Sequence, residues 1–277
     1  MAALATGAWL YAPVLAAMGR QWVDDTTTAH GILLAAAAAV VVYRQLPALR
    51  RQSIQPDSAG LWLVLGGLGI YILGSLGAEV FVQRVSMPIV SLGCVAALCG
   101  RPQARLLGGA FVLLLLAVPL PAVIVTTLTL PLQLFASGLA ESLLAAGNIP
   151  VMRDGNLLRL DHATIEVAEA CSGLRSAISL ISIGAICTVL LGLTPLRAAI
   201  LFALAIPIAI VGNGARVAAT GYMTQWFGEW AARGFVHDLT GYVAFAAMLG
   251  MTIAVLRLTR GLHQRTPGTR DAVPAGA

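Results

Sequence analysis

Long apolar runs, each about as long as a membrane helix, alternate along this chain with short connections that hold most of the charges. A hydrocarbon core about 30 Å thick takes roughly 20 apolar residues in helical form. That ruler predicts eight spans, at 2–19, 31–48, 60–78, 85–100, 105–125, 172–193, 197–215 and 238–257. Gly and Ala are frequent within them, as in membrane helices whose backbones approach closely. The apolar N-terminus runs directly into Arg20 and a polar loop, which suits an uncleaved first span rather than a signal peptide.

One apolar stretch breaks the pattern. Residues 126–147 are interrupted by Pro131, Gln133, Ser137 and Glu141, which predicts a helix at the outer interface rather than a further span. Two short apolar segments follow, Pro150 to Met152 and Leu157 to Leu160, on either side of Arg153-Asp154-Gly155-Asn156. An Asp-Gly step between such segments is a hairpin signal. Thr164 to Val167 then alternate as a third strand would. The fold class is therefore an all-α polytopic membrane protein. It has about eight transmembrane helices, a small extracytoplasmic β-hairpin cap and an interfacial helix between spans five and six. Its organisation reads as one integral-membrane domain over 1–262, with the cap at about 148–170, and a flexible cytoplasmic tail over 263–277.

Composition agrees: with 58% hydrophobic and only 10% charged residues, the solvent is lipid. All 17 basic residues are arginine, and their placement carries a topology signal rather than a nucleic-acid footprint. With the N-terminus inside, the inner segments hold Arg44, Arg50, Arg51, Arg101, Arg105, Arg197, Arg257, Arg260, Arg265 and Arg270 against only Asp57 and Asp271. That bias favours an N-in, C-in orientation. No His-Glu-x-x-His motif or Gly-rich phosphate loop is present, so neither a metal nor any other cofactor is expected.

Four cysteines are present, and Cys94, Cys99 and Cys187 sit inside apolar runs as small core residues do. Cys171 differs. It lies where the cap enters a membrane helix, and the free N–H groups of a helix start favour a thiolate. Arg175, one turn on, adds to that field, and Gly173 leaves room for another chain near the sulfur. Ser172 is a rival nucleophile, but a hydroxyl ionises far less readily. Arg216 follows the apolar run 198–211, and Asn213 shares its helix face at a spacing of three. An arginine at membrane depth is costly unless it is paired or faces a polar cavity. His237, at the start of the last span, suits proton transfer near neutral pH. Each has a plainer reading: a packed thiol, an arginine reaching the headgroups, an interfacial histidine. Their common depth, at the outer ends of spans six, seven and eight, argues for a shared site. His30, Glu166 and Glu169 are secondary candidates for lining the cavity, positioning substrate or orienting His237. A non-catalytic component of a polysaccharide exporter, or a transporter, is the alternative class, although neither needs an activated thiol.

The block Ile165-Glu166-Val167-Ala168-Glu169-Ala170-Cys171-Ser172-Gly173-Leu174-Arg175 resembles the signature of the exosortase/archaeosortase family. The resemblance extends to Asn213-Gly214-Ala215-Arg216, to His237, to Ala29-His30-Gly31-Ile32-Leu33 and to Leu130-Pro131-Leu132-Gln133. Tyr242 stands where bacterial members often carry tryptophan. The resemblance implies a membrane cysteine peptidase or transpeptidase, analogous to sortase but of unrelated fold, in the bacterial inner membrane with its active site on the extracytoplasmic side. Its substrates would be membrane-anchored proteins with a C-terminal sorting signal: a Pro-Glu-Pro-like motif, a transmembrane helix and an Arg-rich tail. The cleaved protein would pass to an unidentified amine acceptor or to water, in a setting linked to exopolysaccharide and biofilm production. By the same resemblance Cys171 is the nucleophile, Arg216 the electrostatic stabiliser and His237 the acid/base.

Overall fold

The computed structural model describes residues 2–161, 163–167, 173–228, 230 and 234–260. Cys171, Ser172, Glu169 and the tail over 263–277 lie outside the described residues, as does the side chain of His237. The chain is an all-α polytopic membrane protein with one small sheet. Its helices are α1 (Ala2–Asp24), α2 (His30–Arg51), α3 (Ser58–Leu76), α4 (Val80–Leu98), α5 (Arg101–Leu116), α6 (Ala122–Ala146), α7 (Leu174–Leu191), α8 (Pro195–Phe227) and α9 (Gly234–Leu258). Strands β1 (Val151–Asp154), β2 (Leu157–Leu160) and β3 (Thr164–Glu166) lie between α6 and α7.

Among the described residues seven helices are long and apolar enough to cross a membrane: α2, α3, α4, α6, α7, α8 and α9. They are not quite the expected spans. The run expected at 105–125 is broken, because Pro119 and Pro121 lack the N–H a helix needs and push the residues before them out of helical conformation. Consequently α5 stops after 16 residues, and α6 starts at Ala122 and runs for 25. The stretch expected to lie at the interface thus has the length and composition of a span.

Two compact units make up the chain: Met1–Pro131 with Ile181–Gly192, and Leu132–Leu180 with Leu193–Ala277. In the first, α3 and α4 form an antiparallel hairpin whose seam is set by glycine. Gly60, Gly67 and Gly74 recur every seventh residue and are buried. They face the Ala97 backbone, Val90 and Gln83 respectively, while Gly93 of α4 fits against Val64. In lipid there is no hydrophobic drive between helices, so close backbone packing of this kind holds the pair together. Gly60→Leu would force a β-carbon into the Ala97 backbone, whereas Gly66, on the other face, has open space around it. Gly60→Leu is expected to cost about 1–3 kcal/mol and to lower the melting temperature in detergent. Gly66→Leu should leave it nearly unchanged.

The two ends of this unit differ in character. At one end Asp57 caps α3 by accepting from Ala59 N–H (2.9 Å) and pairs with Arg101. Gln103 donates to the Ser53 carbonyl (2.9 Å), and Arg44 reaches the Leu190 carbonyl at the end of α7 (3.5 Å). At the other end Trp22 donates to the Ala117 carbonyl (3.1 Å), Thr28 donates to the Gln21 carbonyl (2.9 Å), and buried Arg84 donates to Gln21 Oε1 (2.7 Å). The half-buried thiols Cys94, Cys99 and Cys187 all belong to this unit's helices and their ends.

In the second unit the cap forms as its alternating pattern predicts. β1 and β2 pair antiparallel through the two-residue turn Gly155-Asn156, where Gly155 takes a φ of 63° that favours glycine. β3 adds to the far edge of β2, and Leu158, Leu160 and Ile165 point into a core shared with Ala140 and Leu144 of α6 and Val217 of α8. Ser137 donates to the Gly155 carbonyl (3.0 Å) and Arg153 pairs with Glu141 (2.8 Å), clamping the turn onto α6.

Candidate functional site

Everything the second unit brings together is organised by α8, a single helix of 33 residues that is about 50 Å long at 1.5 Å per residue. At its start Arg197 donates to the Leu256 carbonyl near the end of α9 (3.3 Å). Farther along, three glycines admit its neighbours. Gly212 meets Met248 of α9, while Gly214 and Gly221 meet Leu139 and Leu144 of α6. Since both contacts advance in the same direction, the second half of α6 runs parallel to the last third of α8. Tyr222 closes that contact by donating to the Leu143 carbonyl (2.8 Å).

Asn213 and Arg216 project from α8 between those glycines. Asn213 is 1% exposed, and its side chain fills the space beside Gly173. A β-carbon on Gly173 would lie 3.0 Å from Asn213 Cβ and 3.4 Å from its Nδ2. The room that glycine creates is therefore taken by Asn213. Gly173 also has a φ of 83°, which side-chain-bearing residues rarely adopt. Its carbonyl accepts the Ala177 N–H (2.9 Å), so Gly173 occupies the capping position of α7. The helix thus starts later than the expected 172, and position 171 precedes the cap by two residues.

Arg216 is half-buried and lies across α9 at Gly241. A β-carbon there would come within 2.8 Å of Nη2 and 3.0 Å of Cζ, so the missing side chain of Gly241 is the seat of the guanidinium. Position 237 is one helical turn before Gly241 on α9. Two buried or half-buried polar groups of α8, three residues apart, thus connect the start of α7 to the first turns of α9.

The secondary candidates are more scattered. Arg175, in the first turn of α7, and Glu166, at the end of β3, are both exposed. His30 begins α2 in the first unit, where its Nδ1 lies 3.0 Å from the Thr27 carbonyl. Gly241 had no assigned role in the sequence reading. The signal that could have found it is its spacing of four from His237, which puts a residue without a side chain one turn along from a polar one. Asn213 was paired with Arg216 on spacing alone, and its packing on Gly173 is what the fold adds.

The transmembrane exosortase family matches residues 22–254, a stretch that contains every one of these positions. No curated protein and no solved structure matches the chain. A family match over most of the length, together with the multi-pass helical architecture, shows that the chain belongs to the transmembrane exosortase family.

Proposed function

We propose that this chain cleaves C-terminal sorting signals of exported proteins through an acyl-enzyme on Cys171, and hands the product to an amine acceptor or to water. Membership of the exosortase family carries a membrane transpeptidase role in general, and the proposal specifies the residues. One observation carries it: the packing of Gly173 on Asn213 and of Arg216 on Gly241 gathers the three motif blocks in one unit. Covalent reach alone keeps the Cα of residue 171 within about 7 Å of that of Gly173.

In this reading the Cys171 thiolate attacks the scissile carbonyl carbon and forms a C–S bond. Negative charge gathers on the carbonyl oxygen, where the Arg216 guanidinium stabilises it. His237 gives a proton to the departing amine as the C–N bond breaks, then takes one from the incoming amine or water as the thioester is resolved. The substrate's Pro-Glu-Pro-like motif, helix and Arg-rich tail, and the link to exopolysaccharide production, belong to the same proposal.

The orientation with both termini inside, one domain over 1–262 and a cytoplasmic tail belong to the same proposal. Arg216 is about 28 Å from Arg197 along α8, close to one hydrocarbon thickness. In the first unit α7 ends beside Arg44, at the same end as Arg101.

The test is processing of a co-expressed precursor bearing such a signal, by the native chain and by Gly241→Leu. The displaced neighbour would be the end of a flexible side chain, so Gly241→Leu is expected to insert normally while cleavage slows roughly 10–100-fold, part of what losing a positioned donor costs. A precursor left uncut by the native chain removes the substrate assignment. Unchanged cleavage by Gly241→Leu removes the role of Arg216.

A further inference from the structure

Away from the site just described, α2 carries a continuous exposed stripe whose character changes along its length. Leu33, Ala36 and Val40 form its first part, with Leu33 59% and Val40 41% exposed. Their spacing of three and four keeps them on one face. The same face continues into Tyr43, Arg44, Pro47, Arg50 and Arg51, which with Leu46 line a cavity of about 590 Å³. Tyr43 is 75% exposed, and all three arginines are exposed too. Arg44 is steadied on one side by the Leu190 carbonyl (3.5 Å). Among the described residues these arginines make no ion pair, whereas Arg101, at the same end of the unit, pairs with Asp57. Three cations around one cavity repel one another unless an anion occupies it.

We infer that this groove is a binding site for one anionic phospholipid, its phosphate held by Arg44, Arg50 and Arg51 and its acyl chain lying along Val40, Ala36 and Leu33. The occupant follows from the stripe. A soluble anion would match the arginines but leave the apolar part unused. A zwitterionic lipid would match the apolar part but bring its own cation against the three. Leu33 is about 16 Å from Arg44 along the helix axis, so a chain hanging from the phosphate runs toward the membrane centre, as a lipid tail must. Tyr43 adds an aromatic ring of the kind favoured at headgroup level. Basic grooves on membrane helices hold phospholipid headgroups by the same electrostatics. The inference stands independently of the cleavage chemistry, since it uses only the first unit and the membrane environment.

The test uses the purified full chain in detergent, with phosphatidylglycerol or phosphatidylcholine added and bound lipid counted by native mass spectrometry. Phosphatidylglycerol should be retained in preference to phosphatidylcholine. The pair Arg44→Gln/Arg51→Gln should weaken its retention about tenfold or more, while Arg105→Gln/Arg257→Gln, which removes equal charge elsewhere, should change it less than twofold. Inorganic phosphate at the same concentration should not displace the lipid. Equal weakening by the two pairs, equal retention of the two lipids, or displacement by phosphate would each overturn the site. Should the Arg44/Arg51 pair fail to insert, photoactivatable phosphatidylglycerol on the native chain decides. Crosslinks within residues 33–51 support the groove, and crosslinks confined to other segments refute it.

Discussion

Cys171→Ala is expected to yield a chain that inserts and accumulates normally yet leaves the precursor at full length, with cleavage falling on the order of 10⁴-fold or more, as when a covalent nucleophile is lost. Position 171 precedes the capping Gly173 by two residues, so the substitution lies outside helix α7 (Leu174–Leu191). The fold should not notice its loss. Cys94, Cys99 and Cys187 offer no substitute, because they are half-buried in helices of the first unit or at their ends. Ser172 offers little, since its hydroxyl lacks the thiol's ease of ionisation. A membrane-impermeant maleimide should label the native chain and block processing, and should fail to label the alanine variant under the same conditions. Undiminished cleavage by Cys171→Ala would end the proposal. Processing that survives complete labelling of Cys171 would likewise remove this thiol from the chemistry.

The second large effect belongs to Arg216. Arg216→Ala removes the donor proposed for the developing oxyanion and is expected to lower kcat about 10²–10³-fold, with KM for the precursor little changed. Arg216→Lys should recover only part of that loss. Lysine keeps the charge but not the planar fork that occupies the space left by Gly241. Single-turnover cleavage separates the outcomes. A change confined to KM would assign Arg216 to binding a substrate carboxylate and remove it from the chemical step. Because Asn213 packs on Gly173, the substitution should leave the start of α7 in place.

The parts of this molecule that were legible in its sequence are those governed by local rules. Membrane helices announce themselves by length and apolarity, so most spans fall within a few residues of expectation. The cap was readable because a turn at Gly155 and the alternation of Leu158, Leu160 and Ile165 are properties of short segments. Asn213 and Arg216 were paired by helical spacing. What escaped was set by contacts between distant segments or by competing local signals. Apolarity ran straight through Ala117 to Val125, and two prolines divided it into α5 and α6. The same apolarity made α6 ambiguous, and its parallel course beside α8 follows from Gly214 and Gly221, whose partners on α6 no local pattern reveals. Gly241 stands one turn from His237, but its use as a seat for a guanidinium depends on another helix crossing at that level.

The unbroken length of α8 would make the membrane itself part of the proposed site. One helix carries both Arg197 and Arg216, about 28 Å apart along its axis, so in the proposed orientation the depth of the guanidinium is tied to the thickness of the lipid around it. In a thicker bilayer Arg216 would be drawn beneath the surface, and in a thinner one lifted into water, unless tilting of the helix made up the difference. In the proposed mechanism the lipid would thus act as a gauge, matching the height of the Arg216 charge to the level at which a helix-anchored substrate emerges.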